Sequence, residues 1–188
     1  MNSKHPFPRE LTLLALAVTA ATVFQVSVAA PRDASPIVRH CEGANYRIRL
    51  STSGPKSQVA LTECGALLFS PNGAHWRRAD TIVNTFFRDV TYAAGRFVAV
   101  GGSYLSPSGA ILTSVDGEHW TIERCGMKIV LRSVAYGEGL FVAVGDGGTI
   151  LTSRDRGTWS TQRSPVHGVF RNVSYCDGAF MALGEEGI

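Results

Sequence analysis

One fifteen-residue phrase occurs three times in this chain, and it constrains the fold more than any other feature. Phe87-Arg-Asp-Val-Thr-Tyr-Ala-Ala-Gly-Arg-Phe-Val-Ala-Val-Gly101 aligns without a gap on Leu131-Arg-Ser-Val-Ala-Tyr-Gly-Glu-Gly-Leu-Phe-Val-Ala-Val-Gly145. Phe170-Arg-Asn-Val-Ser-Tyr-Cys-Asp-Gly-Ala-Phe-Met-Ala-Leu-Gly184 is a third copy. The first two run on toward an Ile-Leu-Thr-Ser segment and a turn that ends in tryptophan. Three such turns exist: Ser70–Trp76, Ser114–Trp120 and Ser153–Trp159. Their tryptophans are spaced by 44 and then 39 residues, and an insertion around 104–108 accounts for the difference. Self-similarity at this period is the mark of a repeat architecture.

Each unit reads as four short strands. In the unit from Leu131, strand one spans about Arg132 to Tyr136, and Gly137-Glu-Gly139 is a tight turn. Strand two, Leu140 to Val144, is apolar on both faces, as a strand buried on both sides requires. Asp146-Gly-Gly148 turns again, strand three spans Thr149 to Ser153, and strand four begins at Trp159. Four strands in about forty residues is one blade of a β-propeller. A weaker copy lies upstream: Val59 to Ser70 aligns with Val142 to Ser153, and Tyr46 to Leu50 alternates like a first strand before a Ser/Gly/Pro loop. The expected fold is therefore all-β, a partial propeller of about three and a half four-stranded antiparallel blades. The units span about 44–80, 86–126, 130–165 and a shortened 169–188. A propeller closes with four or more blades. The reading therefore expects either a truncated gene product or self-association that closes the ring.

The tryptophan turns have a local cause. Asn72, Asp116 and Asp155 can accept bonds from backbone N–H groups two residues on, which closes the turn. Trp76, Trp120 and Trp159 then open strand four with a large apolar face to bury. These six are read as structural residues and not as calcium or catalytic groups.

At these residues the chain resembles the BNR/Asp-box repeat propellers, and most of all the photosystem II assembly/stability factor family. The stretch Leu131 to Trp159 carries the resemblance, with weaker copies at 87–120 and 59–76. The Ser-to-Trp spacing is one residue shorter than the usual Asp box, which sets the chain apart from the sialidases. The resemblance implies a propeller of binding or assembly function. Related propellers include sialidases, xyloglucanases and sortilin-type receptors, so fold alone does not choose a function.

Arg88, Arg132 and Arg171 occupy one place in three successive units, at the start of the presumed innermost strand. Pointed at the axis, they form a basic ring suited to carboxylate or phosphate. Packed between blades, they bond to backbone and serve the repeat interface. Tyr92, Tyr136 and Tyr175 also repeat and read as blade-core aromatics. No pair of carboxylates has a context that marks a glycosidase. No metal-ligand spacing and no phosphate loop are found either, so neither a metal nor a cofactor is expected.

Composition fits an exported globular chain. It is 45% apolar and 18% charged, with a net charge of +3 and no basic run, which argues against nucleic acid. Lys4 and Arg9 precede an uncharged stretch, Leu11 to Ala30, that ends in small residues. It is read as a signal peptide, residues 1–30, with the propeller repeats in 31–188. An uncleaved anchor is the alternative, because the stretch is just long enough to span a bilayer. Export permits disulfides among Cys41, Cys64, Cys125 and Cys176. Blade topology places Cys41 and Cys64 at one end of a blade and favours that pair. The functional expectation is a secreted or periplasmic, non-catalytic binding or assembly module for a protein or carbohydrate ligand, outside the membrane once cleaved. The alternative is an incomplete glycoside-hydrolase propeller.

Overall fold

The repeated phrase forms a hairpin because its turn has the right chemistry. Ala94-Gly95, Glu138-Gly139 and Asp177-Gly178 all have positive φ at both residues. That is the type I′ geometry whose twist matches flanking antiparallel strands. In the computed structural model, residues 25–27, 45–81, 83, 85–103, 109–154 and 157–184 are described, with 25–27, 45–46 and 125–126 described through their backbone alone.

The described residues form four antiparallel sheets. Sheet I comprises β1 (Gln25–Ser27), β2 (Asn45–Ser53), β3 (Gln58–Thr62), β4 (Leu67–Ser70) and β5 (Arg77–Arg78) in that order. Sheet II comprises β6 (Phe87–Ala93), β7 (Arg96–Gly101), β8 (Gly109–Ser114) and β9 (Thr121–Met127). Sheet III comprises β10 (Leu131–Gly137), β11 (Leu140–Gly145), β12 (Ile150–Ser153) and β13 (Ser160–Gln162). Sheet IV has β14 (Phe170–Cys176) and β15 (Ala179–Gly184). The first strands, β2, β6, β10 and β14, are neighbours from sheet to sheet and line the axis. This is an all-β partial propeller with an open circuit of blades. The strands of sheet III match the sequence reading closely. In sheet I, Ser51–Ser53, expected as loop, continues β2 instead and pairs with Gln58–Ala60. Backbone pairing overrode the polar side chains there. β1 lies inside the segment read as the export signal and pairs with Asn45–Arg47 of β2.

The core sits in the seams between sheets. Each second strand presents alternate residues to the sheet before and the sheet after. Val98 and Val100 of β7 pack with Leu131, Val134 and Phe141 of sheet III, whereas Phe97 and Ala99 pack with Val59 and Leu61 of sheet I. Val142 and Val144 of β11 pack with Phe170 and Val173 of sheet IV in the same way. This two-sided burial explains why the second strands are continuously apolar.

The glycine that ends the second strand has a packing reason. A Cβ on Gly101 would lie 2.3 Å from the Phe86 carbonyl oxygen, and one on Gly145 would lie 2.2 Å from that of Val130. The incoming inter-blade connection crosses the strand end there, and its backbone leaves no room for a side chain.

Candidate functional site at the start of the inner strands

Every first strand carries a β-bulge where its pairing with the second strand begins. The register breaks between Ile48 and Leu50, Phe87 and Asp89, Leu131 and Ser133, and Phe170 and Asn172. The unpaired residue at each break is an arginine: Arg49, Arg88, Arg132 and Arg171. A bulge re-aims the side chain it carries. Sheet I therefore supplies a fourth arginine, Arg49, that the sequence reading missed. Its signal was available, because the ungapped alignment of Val59 on Val142, extended upstream, places Arg49 on Arg132. It was hidden because Leu50, Ser51 and Ser53 break the pattern of the other copies.

The four guanidinium groups have different surroundings. Arg49 is exposed and donates from Nη2 to the backbone carbonyl of Arg88, linking sheet I to sheet II. Arg88 is half-buried, with its guanidinium 5.1 Å from the centre of the Phe86 ring. Arg132 is held by Asp146, its Nε 2.5 Å from the carboxylate Oδ1. Arg171 is exposed. Sequence equivalence thus places the arginines at one level of the axis, but Arg49 reaches across to the next sheet, Arg132 is ion-paired, and Arg49 and Arg171 are the two with exposed side chains.

One residue beyond the arginines of sheets II, III and IV, a polar relay crosses the sheets; in sheet I that place is Leu50. Asp89 Oδ2 accepts from Ser133 Oγ at 2.7 Å and from the Val134 N–H at 2.9 Å, both in sheet III. Its Oδ1 accepts from the Val90 N–H at 2.8 Å. Ser133 Oγ lies 3.3 Å from Asn172 Oδ1 of sheet IV. Asp89, Ser133 and Asn172 are equivalent positions, so one side chain per sheet joins the inner strands. Burial pushes the Asp89 carboxyl above its ordinary range, against the pull of these three hydrogen bonds and the charge of Arg49. In the sequence Asp89 is a carboxylate near a strand start with nothing local to mark it. Its role depends on the neighbouring sheet, which no local pattern encodes.

The tryptophan turns lie away from this site and are closed by their own side chains. Asp116 Oδ1 accepts from the N–H groups of Glu118 and His119 at 2.8 and 2.9 Å, and from Ser114 Oγ at 2.9 Å. Trp120 Nε1 donates to the Gly117 carbonyl at 3.0 Å. Asn72 Oδ1 accepts from Ala74 and His75 at 3.0 and 3.1 Å, and Trp76 Nε1 donates to Gly73 at 3.1 Å. Partial burial opposes ionisation of Asp116, but the bonds from His119, Glu118 and Ser114 prevail and hold its carboxyl well below the usual range. In the third turn Trp159 is buried, and Asp155 lies outside the described residues.

Cys64, in the β3–β4 turn, is disulfide-bonded, and its expected partner Cys41 lies outside the described residues. Cys176 is a free, exposed thiol at the end of β14. Among the described residues no group of three or more His, Cys, Asp or Glu is placed to hold a metal ion. No helix among them is long and apolar enough to cross a membrane.

The fold is similar to those of two solved structures of YCF48. One, YCF48 bound to D1 peptide, has a TM-score of 0.54 and 16% sequence identity, covering 76% of this chain and 48% of that one. The other, YCF48 from Cyanidioschyzon merolae, has a TM-score of 0.50 and 15% identity, covering 72% of this chain and 49% of that one. A structure from the GH130 family of mannoside phosphorylases and glycoside hydrolases is more distant, with a TM-score of 0.43 and 14% identity, covering 71% of this chain and 58% of that one. At these identities the likeness shows a β-propeller and nothing finer. The chain spans about half the length of the YCF48 structures it matches. No protein-family model matches the chain, and no curated protein matches it.

Proposed function

We propose that this chain is a non-catalytic binding or assembly module that takes an acidic segment of a partner protein at the start of its inner strands. The observation that carries this reading is the arginine at the bulge of all four sheets, with Arg49 and Arg171 exposed and Arg88 and Arg132 completing the level. Guanidinium groups on a rigid strand suit carboxylates, because their planar fork matches the two oxygens. A protein ligand is favoured over a glycan by the YCF48 structure with a D1 peptide, since that protein shares the fold and binds a peptide.

Two carboxylates at this level are already engaged. Asp89 accepts three hydrogen bonds, and Asp146 is paired with Arg132. A glycosidase needs one carboxyl as acid and a second as base or nucleophile, and neither group is set up for that work. The alternative reading, a glycoside-hydrolase-like propeller, is therefore the weaker one. The repeats are further proposed to be of the Asp-box type, on the strength of the Ser70 and Ser114 turns. Export to the periplasm or medium is proposed from Leu11 to Ala30 alone.

The test is the binding of a fluorescein-labelled poly-glutamate peptide, read by anisotropy at two salt concentrations. Binding should weaken with salt, and Arg49→Glu with Arg171→Glu should weaken it at least about tenfold, since each lost charged contact is worth ~1.5–3 kcal/mol. Because Arg49 also donates to the Arg88 carbonyl, far-UV circular dichroism and a thermal melt accompany the titration, and the comparison is made at a temperature where both proteins are folded. Equal binding by wild type and double variant would remove the reading.

A further inference from the structure

The first two tryptophan turns share one hydrogen-bond frame around one changed atom. In the turn Ser114–Trp120, Ser114 Oγ accepts from the Gly117 N–H at 2.8 Å and donates to Asp116 Oδ1 at 2.9 Å. The N–H groups of Glu118 and His119 close on that same oxygen. In the turn Ser70–Trp76, Ser70 Oγ accepts from the Gly73 N–H at 2.8 Å and donates to Asn72 Oδ1 at 3.2 Å. The N–H groups of Ala74 and His75 close on Oδ1 at 3.0 and 3.1 Å. Asn72 ends in an amide nitrogen where Asp116 has its second oxygen. His119 Nδ1 meets that second oxygen at 2.9 Å, and His75 holds the place of His119.

An asparagine followed by glycine is a reactive pair, because the glycine nitrogen has no neighbouring side chain to shield it. That nitrogen attacks the carbonyl carbon of the asparagine side chain, ammonia leaves, and water reopens the five-membered imide. Asn72-Gly73 is the one Asn-Gly pair in the sequence. The turn adds the rest of a catalytic arrangement. Ser70 Oγ touches both the proton that the attacking nitrogen must lose and the oxygen that must gain one. As the bond from Gly73 N to Asn72 Cγ forms, the Gly73 proton passes to Ser70 Oγ and the Ser70 proton passes to Oδ1. The Ala74 and His75 N–H groups meet the charge that develops on Oδ1, as an oxyanion hole does. The bond from Cγ to Nδ2 then breaks, and ammonia leaves with the transferred proton into solvent, to which Asn72 is exposed.

The same two N–H groups polarise Cγ in the imide and direct water back to it. Attack there breaks the bond to Gly73 N and restores the main chain with an aspartate. One water is consumed and one ammonia is released. The second turn shows that an aspartate fits this frame, where its carboxyl is held well below the usual range. The isoaspartyl product would lengthen the main chain by one carbon and draw Gly73 away from Ser70 and from the Trp76 indole, whose Nε1 donates to the Gly73 carbonyl at 3.1 Å.

We propose that Asn72 is a self-modifying site, at which Ser70, Gly73, Ala74 and His75 drive its deamidation to aspartate in the folded chain. The product adds one negative charge and gives His75 a carboxylate neighbour. The site is distinct from the arginine level and does not depend on any ligand there.

Purified wild-type chain is incubated at neutral pH, native and unfolded in guanidinium chloride, and the fragment that contains residue 72 is followed by mass and by chromatography. The native chain should deamidate about tenfold faster than the unfolded chain, since only the fold supplies the relay and the oxyanion hole. Its product should co-elute with the fragment from an Asn72→Asp variant. Ser70→Ala, shown to be folded by far-UV circular dichroism, should bring the native rate down to the unfolded one. A native rate equal to or below the unfolded rate overturns the proposal, because the turn would then protect Asn72; this comparison needs no variant. A mainly isoaspartyl product from the native chain, or a folded Ser70→Ala that reacts as fast as wild type, overturns it as well.

Discussion

The seam between sheets I and II and the seam between sheets II and III are built from the same repeat, yet they place their polar groups differently. In the first, the interior is apolar: Val59, Leu61, Phe87, Phe97 and Leu112 meet around Trp120. Its polar contacts stand at the rim, where Ser57 Oγ donates to the Asp116 carbonyl at 2.6 Å and Arg77 meets Glu118 at 2.6 Å. In the second, charge enters the seam. Arg96, only 6% exposed, lies 4.9 Å from the centre of the Phe141 ring and 3.9 Å from Glu123, and Thr113 Oγ1 donates to Glu123 Oε1 at 2.8 Å. Arg124 reaches the Trp159 carbonyl at 3.3 Å, and Asp89 joins the inner strands. An apolar seam tolerates the loss of any rim contact. A seam with buried charge depends on each partner, because a buried ion that loses its partner keeps its desolvation cost.

The largest effect expected is on ring truncation. Phe97→Ala in the first seam and Phe141→Ala in the second should each cost about 3–5 kcal/mol, from lost transfer energy and the cavity left behind. The comparison predicts the greater loss at Phe141, since Arg96 loses its aromatic face as well. Urea denaturation of the two variants measures this, and a larger loss at Phe97 would break the comparison.

Next comes the buried pair. Glu123→Ala should cost about 3 kcal/mol by leaving Arg96 with less compensation, whereas Arg96→Met with Glu123→Met should cost less than the single change. The rim pair at Arg77 and Glu118 is largely exposed on the arginine side, and Glu118→Ala should cost under about 1 kcal/mol. A double-mutant cycle on each pair tests the contrast directly.

Asp89 gives a pH signature. Asp89→Ala should cost about 1–3 kcal/mol by leaving the Ser133 hydroxyl and the Val134 N–H without their acceptor. Asp89→Asn should cost less, because the amide oxygen still accepts. The native carboxyl titrates above its ordinary range, so its stabilising contribution is complete below the unfolded value near ~3.9 and is lost as pH rises through the native value. Thermal melts across that window should show this slope in the wild type and its disappearance in Asp89→Asn.

The smallest effect belongs to the turn at Asp116. Asp116→Ala should cost no more than about 1 kcal/mol, because the carboxylate is about half exposed. Its native value is depressed, so the contribution is present above the ordinary carboxylate range and is lost on acidification, the reverse of Asp89. Opposite slopes for the two aspartates would sharpen the distinction between rim and interior.

The residues themselves determined the blade. Leu140 to Val144 needed burial on both faces, Glu138-Gly139 allowed only a tight hairpin, and Ser114 to Trp120 closed its own turn. These are short-range facts, set by local sterics, hydrogen bonds and the period-two alternation of a strand, and a sequence displays them. It also displayed Arg88, Arg132 and Arg171 as equivalent, because equivalence is a matter of register. The tertiary structure decided what equivalence does not fix: that Arg49 donates to the Arg88 carbonyl, that Asp146 claims Arg132, and that Asp89 crosses to Ser133 and Val134. It decided, too, that Val144 is buried while Leu183 in the same place is not. Burial and pairing at a seam depend on the sheet that packs against the strand, tens of residues away, and identical phrases acquire different physics from different neighbours.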